Sequence, residues 1–500
     1  MKGRSPAKSA RSAKVDTLAI AIDTAIDAAD RQTLEMLDKR CAALLRASSE
    51  EEVRLWYYRS NVQAALQDIV DAQSWKWRQP HRERQILYLR RARATTGFAA
   101  IGPEGRAQIL TNLANTLNSL GRSIEALQLY DDALDQIPHF AVALGNRGIA
   151  RAELARQLHD AGNAIALMQA AAVDIERALG PDAFWDNDYP EAIDLFRRWL
   201  DWLTALINHN QPRVIDFEGF SLGRSKTEKR FRRWALNNQL FLSPLSVLGP
   251  HAIAAADTFG LPPHRGSFDE PPHFIAWYNQ MKQEFAAARL MLFESIEGND
   301  RHYADRHLLL VDTLDFHAFG LKVEKQRIAF RMAYGLLDKI AGFLNGYFKL
   351  GDDPNHLSLR TVWPTKGQVR KEFADRPNLP LRGLYWLSLD LLAAEPADID
   401  AIAPDAAELN QLRNALEHRC VVLREIDTTL PTGIVETRTM LEFRQSTYRM
   451  MSLARAALFY LSLAVGREEQ KRDEENKDDK FVLTRSLGTY RGVVGYGEIG

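Results

Sequence analysis

The stretch at 113–138 reads LANTLNSLGRSIEALQLYDDALDQIP. Its apolar residues recur at three- and four-residue steps, first over Leu113, Ala114 and Leu117, then over Ala126, Tyr130 and Ala133. That is the period of a helix with one face in a core. Gly121 stands between the two runs, where a turn needs backbone freedom. Pro138 closes the second run because it cannot continue a helix. Small Ala114 and Ala126 let two helices approach closely, and Tyr130 and Ala133 are placed to fill a contact with the next unit. One such pair cannot bury its own face, so the stretch calls for neighbours of the same kind.

Working outward, helical periodicity extends over 15–210. Leu34, Leu37, Cys41, Leu44 and Leu45 keep the same steps, and 55–66 and 81–94 are further helices. No alternating Val/Ile/Thr run supports a β-rich fold. A second unit begins near Ala141 with Leu144 and Gly148 in register, and Tyr189, Ala192 and Phe196 hint at another. The offsets of Leu113, Ala114, Gly121, Ala126, Tyr130, Ala133 and Pro138 resemble the tetratricopeptide (TPR) repeat of about 34 residues. The resemblance implies an α-solenoid over 15–210. Its concave surface is then either a seat for a peptide or protein, or part of a scaffold that only packs on the rest of the chain.

The remaining boundaries follow from composition. Residues 1–14 read as a flexible basic arm. Prolines and glycines crowd 211–272, which reads as an irregular connector. Helical periodicity returns over 274–297, 321–348, 381–394, 404–426 and 435–465, with Ala333, Leu336, Leu337, Ile340, Leu344 and Tyr347 on one face of the second. The expected fold is therefore all-α, with a four- or five-helix bundle at 273–465. A charged, Gly-rich tail covers 466–500.

The chain has 500 residues, 46% hydrophobic and 26% charged, with 64 basic against 65 acidic residues. That composition excludes a fibrous or disordered chain, and the balance excludes a polycation that coats nucleic acid. Cys41 and Cys420 are too few for a disulfide framework or a four-thiolate zinc site, and Cys420 is expected in the core. The opening MKGRSPAKSARSAK lacks an apolar core, and 451–465 is short and carries Arg455. A cytoplasmic protein without a membrane partner is expected.

Chemistry concentrates at 411–419, QLRNALEHR. Arg413 precedes His418 by five residues, and none of the other histidines has an arginine at that offset. This Arg-x4-His pattern, with polar Asn414 after the arginine, resembles the signature of the HEPN superfamily (higher eukaryotes and prokaryotes nucleotide-binding). The helix ending LDKIAGFLN at 337–345 and the closing RAALFYLSLAV at 455–465 fit the same bundle. The segment 234–245 resembles the lead-in of a bacterial HEPN subgroup with TPR repeats N-terminal to it. The resemblance implies a metal-independent endoribonuclease with Arg413, Asn414 and His418 as catalytic residues, an RNA substrate and no cofactor. It also implies a homodimer or higher homo-oligomer through the bundle, and a toxin-like or anti-phage effector regulated by its TPR region.

The residues permit that chemistry. A histidine moves protons near neutrality, and a guanidinium grips phosphate. On an ideal helix five residues turn about 500°, so Arg413 and His418 stand about 140° apart. Either Arg413 bends round the helix or the two act across a dimer. A plainer reading pairs Arg413 with Glu417 at i, i+4. Glu324, Asp338 and Lys339 are polar residues beside the apolar face of 321–348, open to a supporting role or to structural pairing.

Weaker constellations are Lys226, Lys229, Arg230, Arg232 and Arg233 in KTEKRFRRW, basic residues interleaved with aromatics as RNA binding favours, or simply an exposed helical face. His302, Asp305, His307, Asp312, Asp315 and His317 lack metal-ligand spacing, so no metal is expected. The rival functions are a non-catalytic scaffold or nucleotide-binding interaction protein, and a TPR transcription regulator, for which no helix-turn-helix is evident.

Overall fold

A computed structural model describes residues 6–45, 50–71, 75–210, 216–266, 271–298, 302–365, 368–391, 404–426 and 436–476. The fold is all-α, and the only strands among the described residues are four short ones. The N-terminal half runs α1 (Pro6–Asp27), α2 (Arg31–Leu44), α3 (Glu50–Asp71), α4 (Pro80–Ala94), α5 (Pro103–Ser119), α6 (Ser123–Gln136), α7 (Ala141–Ala155), α8 (Ala161–Leu179) and α9 (Pro190–Asn210). Packing is between successive helices: α3 on α4, α5 on α6, α7 on α8 and α8 on α9. Gly121, at φ +90°, makes the turn between α5 and α6. Leu113, Ala114, Ala126, Tyr130 and Ala133 are all buried there. A Cβ on Gly145 would meet the Phe196 ring at 2.0 Å, so the missing side chain is what lets α9 lie against α7.

The C-terminal half runs α10 (Lys226–Asn237), α11 (His273–Glu297), α12 (Leu321–Tyr347), α13 (Lys371–Ala374), α14 (Leu379–Leu391), α15 (Pro404–His418) and α16 (Met440–Glu475). Strands β1 (Pro364–Thr365) and β2 (Gln368–Val369) pair antiparallel, and β3 (Val421–Arg424) and β4 (Glu436–Thr439) pair in parallel, Val421 opposite Glu436. Helix α16 is the centre. It packs on α11, α12 and α14, and every residue over 453–465 is buried. A helix apolar on all sides belongs in a core. Its one charge there, Arg455, donates from Nε to the Phe241 carbonyl at 2.8 Å and stacks 4.9 Å from the Phe459 ring centre.

Five expectations are corrected. The basic arm is largely helical, since α1 starts at Pro6. The connector is not irregular throughout: it holds α10, and Leu240, Phe241, Leu242, Leu245 and Val247 are core residues. Phe259 stacks on Phe459 with ring centres 4.5 Å apart, and Asp257 closes on Arg289 through bonds of 2.6 and 2.8 Å. Its prolines and glycines hide these partners from a reading of composition. The fourth bundle helix stops at His418 instead of reaching 426, because 421–424 opens on β-branched Val421 and Val422 and joins a ladder. The fifth starts at Met440 under a Thr439–Glu442 capping box. It runs to Glu475, through residues read as tail, because Glu468 and Glu469 are buried and accept from Asn378 (2.9 Å) and Tyr347. The Gly-rich end of the tail lies outside the described residues.

The two halves are joined through a buried ion-pair cluster. Arg90 and Arg122, from α4 and the α5–α6 turn, both bond Asp390 of α14, at 2.7 and 2.6 Å, and Asp390 is 1% exposed. Burial opposes the charge on Asp390, but Arg122 and Arg90 more than offset it and hold the carboxyl well below its ordinary range. Tyr460 of α16 accepts from the Ile124 amide at 3.2 Å. Beside them a Cβ on Gly383 would meet the Gly121 carbonyl at 2.3 Å. No helix among the described residues is long and apolar enough to cross a membrane.

Candidate functional site

Helix α15 turns Leu409, Leu412, Ala415 and Leu416 inward, a stripe that packs it on α12 and α14. That choice of face leaves Asn414, Glu417 and His418 exposed and Arg413 half-buried at the margin. The Arg413 guanidinium lies 5.5 Å from the Tyr334 ring centre, and its Nη1 donates to Asn414 Oδ1 at 3.0 Å. Asn414 thus braces Arg413, not His418. Tyr334 donates to Asn410 Oδ1 at 2.9 Å, and burial pushes its hydroxyl up to about 12. Asp338, one turn further along α12, is raised by burial, with Arg413 acting against that rise. Of the three polar residues singled out on α12, Asp338 is the one beside Arg413. Glu324 pairs with Arg327, and Lys339 with Glu284.

His418 is the last residue of α15, and its ring has no hydrogen bond or ion pair to any described residue. The Arg413–Glu417 pair expected at i, i+4 does not form. Glu417 faces Arg331 at 3.6 Å, because α12 runs alongside and offers a nearer cation. Cys420 is exposed in the turn between α15 and β3, not in the core, since the helix ends before it. Cys41 is buried.

The sequence reading missed Arg327, Arg331 and Tyr334. With Glu324 and Asp338 they follow three- and four-residue steps along α12, a polar stripe opposite the apolar one. Arg331 donates to the Leu416 carbonyl and Arg327 to the Val421 carbonyl, the latter at 2.9 Å. The first ties down the last turn of α15, whose carbonyls lack helical partners, and the second the start of β3.

The basic-aromatic stretch is α10, and its aromatics are not free to stack on bases. Trp234 donates to the Tyr448 hydroxyl at 2.8 Å, and Phe231 packs 5.3 Å from Phe293. Arg230 pairs with Glu297 at 3.0 Å and Arg232 with Glu228 at 3.1 Å, while Lys226, Lys229 and Arg233 stay exposed. The alternation that suggested RNA is therefore an amphipathic helix with its rings inward. Among 302–317, His317 meets Asp315 at 3.2 Å, and Asp305 accepts from the Leu321 amide at 3.0 Å. Among the described residues no three His, Cys, Asp or Glu side chains gather as a metal ion requires.

The model of the LA2681-like HEPN family matches residues 266–468, which contain α11 to α15 and most of α16. No curated protein and no solved structure matches the chain.

Proposed function

This is a HEPN-superfamily protein, and from that premise we propose that it is a metal-independent endoribonuclease. The observation that carries the reading is on α15. A braced guanidinium and an imidazole without a partner among the described residues lie on one helix, at the margin of the core. Arg413 binds the scissile phosphate and stabilises the charge that grows on it. A ribose 2′-oxygen bonds to phosphorus and gives up its proton, and the 5′-oxygen leaves and takes one. His418 is the group that moves protons. The products are a 2′,3′-cyclic phosphate and a free 5′-hydroxyl, and DNA, lacking the 2′-hydroxyl, is spared.

The angle of about 140° between Arg413 and His418 on an ideal helix favours a homodimer in which each copy completes the other's site. The N-terminal helices, with the packing of TPR pairs, serve as regulator and hold the nuclease in check until a protein or peptide trigger binds, as a toxin-like or anti-phage effector requires. The test is incubation of labelled RNA with the full chain and excess chelator, beside His418→Ala and Arg413→Ala. Cleavage that survives the chelator and is lost in both variants supports the reading. Variants that cut as fast as the wild type would overturn the site, and the bundle would then serve as a scaffold.

A further inference from the structure

A cleft of about 420 Å³ opens beside the end of α15, within the range of small-ligand sites, roughly 300–1,000 Å³. Its walls come from α12, the segment 313–319 and the turn from α15 into β3. Three guanidiniums, Arg327, Arg331 and Arg419, face a single carboxylate, Glu324. Arg327 is occupied by the Val421 carbonyl and Glu324, and Arg331 by the Leu416 carbonyl and Glu417. Arg419 is exposed, and while its amide donates to the Ala415 carbonyl at 2.8 Å, its guanidinium has no hydrogen bond or ion pair to any described residue, so its fork is open to an anion. Most of the remaining lining is apolar, with Ala318, Phe319, Leu416, Val421, Val422 and Leu423, and Thr313, His317 and Cys420 complete it. Phe319 is 52% exposed, yet its ring is held edge-to-face by His317 at 5.4 Å. His317 is fixed in turn by Asp315 and by Thr313 Oγ1 at 3.0 Å. An apolar platform beside an unpaired cation suits one nucleotide: the base takes the ring and the phosphate takes the guanidinium.

We infer that this cleft holds one nucleotide of the RNA strand next to the scissile phosphate, with its phosphate on Arg419 and its base against Phe319. The inference rests on the nuclease reading for the word RNA. Arg419 directly follows His418, so the cleft continues the candidate site along the strand. Arg419 acts here as a binding residue and not as a proton carrier.

The experiment uses the full chain carrying His418→Ala, titrated by calorimetry with each nucleoside 3′-monophosphate and with inorganic phosphate. At least one monophosphate binds, and inorganic phosphate binds about ten-fold more weakly or worse. Arg419→Ala costs about ten-fold or more in affinity, as loss of a charge-assisted bond implies. Phe319→Ala costs a few-fold, as loss of a stacking partner does, by about 1 kcal/mol or more per base. In the cleaving protein Arg419→Ala raises KM and leaves kcat in place. No monophosphate binding, unchanged binding in Arg419→Ala, or equal affinity for inorganic phosphate would each overturn the cleft assignment. Failure of the two readings is separable. Arg419-dependent nucleotide binding in a protein that cuts no RNA supports the cleft and removes the nuclease. His418-dependent cleavage without nucleotide binding does the reverse.

Discussion

At the junction of the two halves, Arg90 and the fully buried Arg122 close on Asp390, which is 1% exposed. Along the α12–α15 seam, Arg413 and Arg419 lie near the surface, one guanidinium braced by a neutral amide and the other without a partner among the described residues. The residue types are the same, and the surroundings decide their use. A buried charge has to be neutralised inside the protein, and removing one partner leaves the others exposed to that demand. A charge at the margin stays solvated until a ligand arrives. The junction therefore serves stability and the seam carries the proposed binding, and variants can set the two against each other.

The largest effect belongs to the junction. Asp390→Ala should cost about 3–5 kcal/mol, since it removes the buried carboxylate shared by two cations and leaves the fully buried Arg122 with Glu125 alone. Chemical denaturation measures it, and a loss under about 1 kcal/mol would show that the junction is wet. The same carboxylate sets an acid limit. Its folded pKa is depressed, so its contribution is complete above the unfolded value of about 4 and is lost as pH falls toward the folded one. Melting temperature should drop below about pH 4 in the wild type and less steeply in Asp390→Ala.

The seam should behave in the opposite way. His418→Ala and Arg413→Ala should lose about 100-fold or more in cleavage while stability changes by about 0.5 kcal/mol or less. A variant that loses both would move its residue to the structural side of the comparison. Next comes Gly383→Ala, whose methyl has to displace the Gly121 backbone. Overpacking of that kind costs about 1–3 kcal/mol, read from thermal melts. The smallest effect is expected at Asp338. Its raised pKa means that ionisation works against the fold, and any stability tied to its neutral form falls as pH rises through the folded value. Asp338→Asn should melt at or above the wild-type temperature, by about 0.5 kcal/mol or less, with the gap widening toward higher pH. A gap that narrows would contradict that sign.

The comparison also explains what could be read in the chain. Helical periodicity is a local signal, so the α5–α6 pair around Gly121 and the long α11 and α12 are legible from spacing alone. Arg413, Asn414 and His418 are legible because they share one helix. Their surroundings are not, because Tyr334, Asp338 and Arg331 come from another helix, and only packing decides which stripe of α12 meets α15. Charge misled at 466–475. Glu468 and Glu469 read as solvated tail, but their partners Asn378 and Tyr347 are far away in the chain. The connector misled for the same reason, since its role in the core is set by Arg455 and Arg289. Cys420 was placed inside a helix that ends two residues earlier.

The paired glycines carry one more consequence. Backbone rests on backbone where the α5–α6 turn meets the start of α14, so at that point no cushion of side chains is there to slide or flex. An effector gripping the N-terminal helices has no hinge there to swing. It can only load α14 as a strut. Helix α14 packs directly on α15, so the proposed nuclease would be governed through stiffness rather than travel.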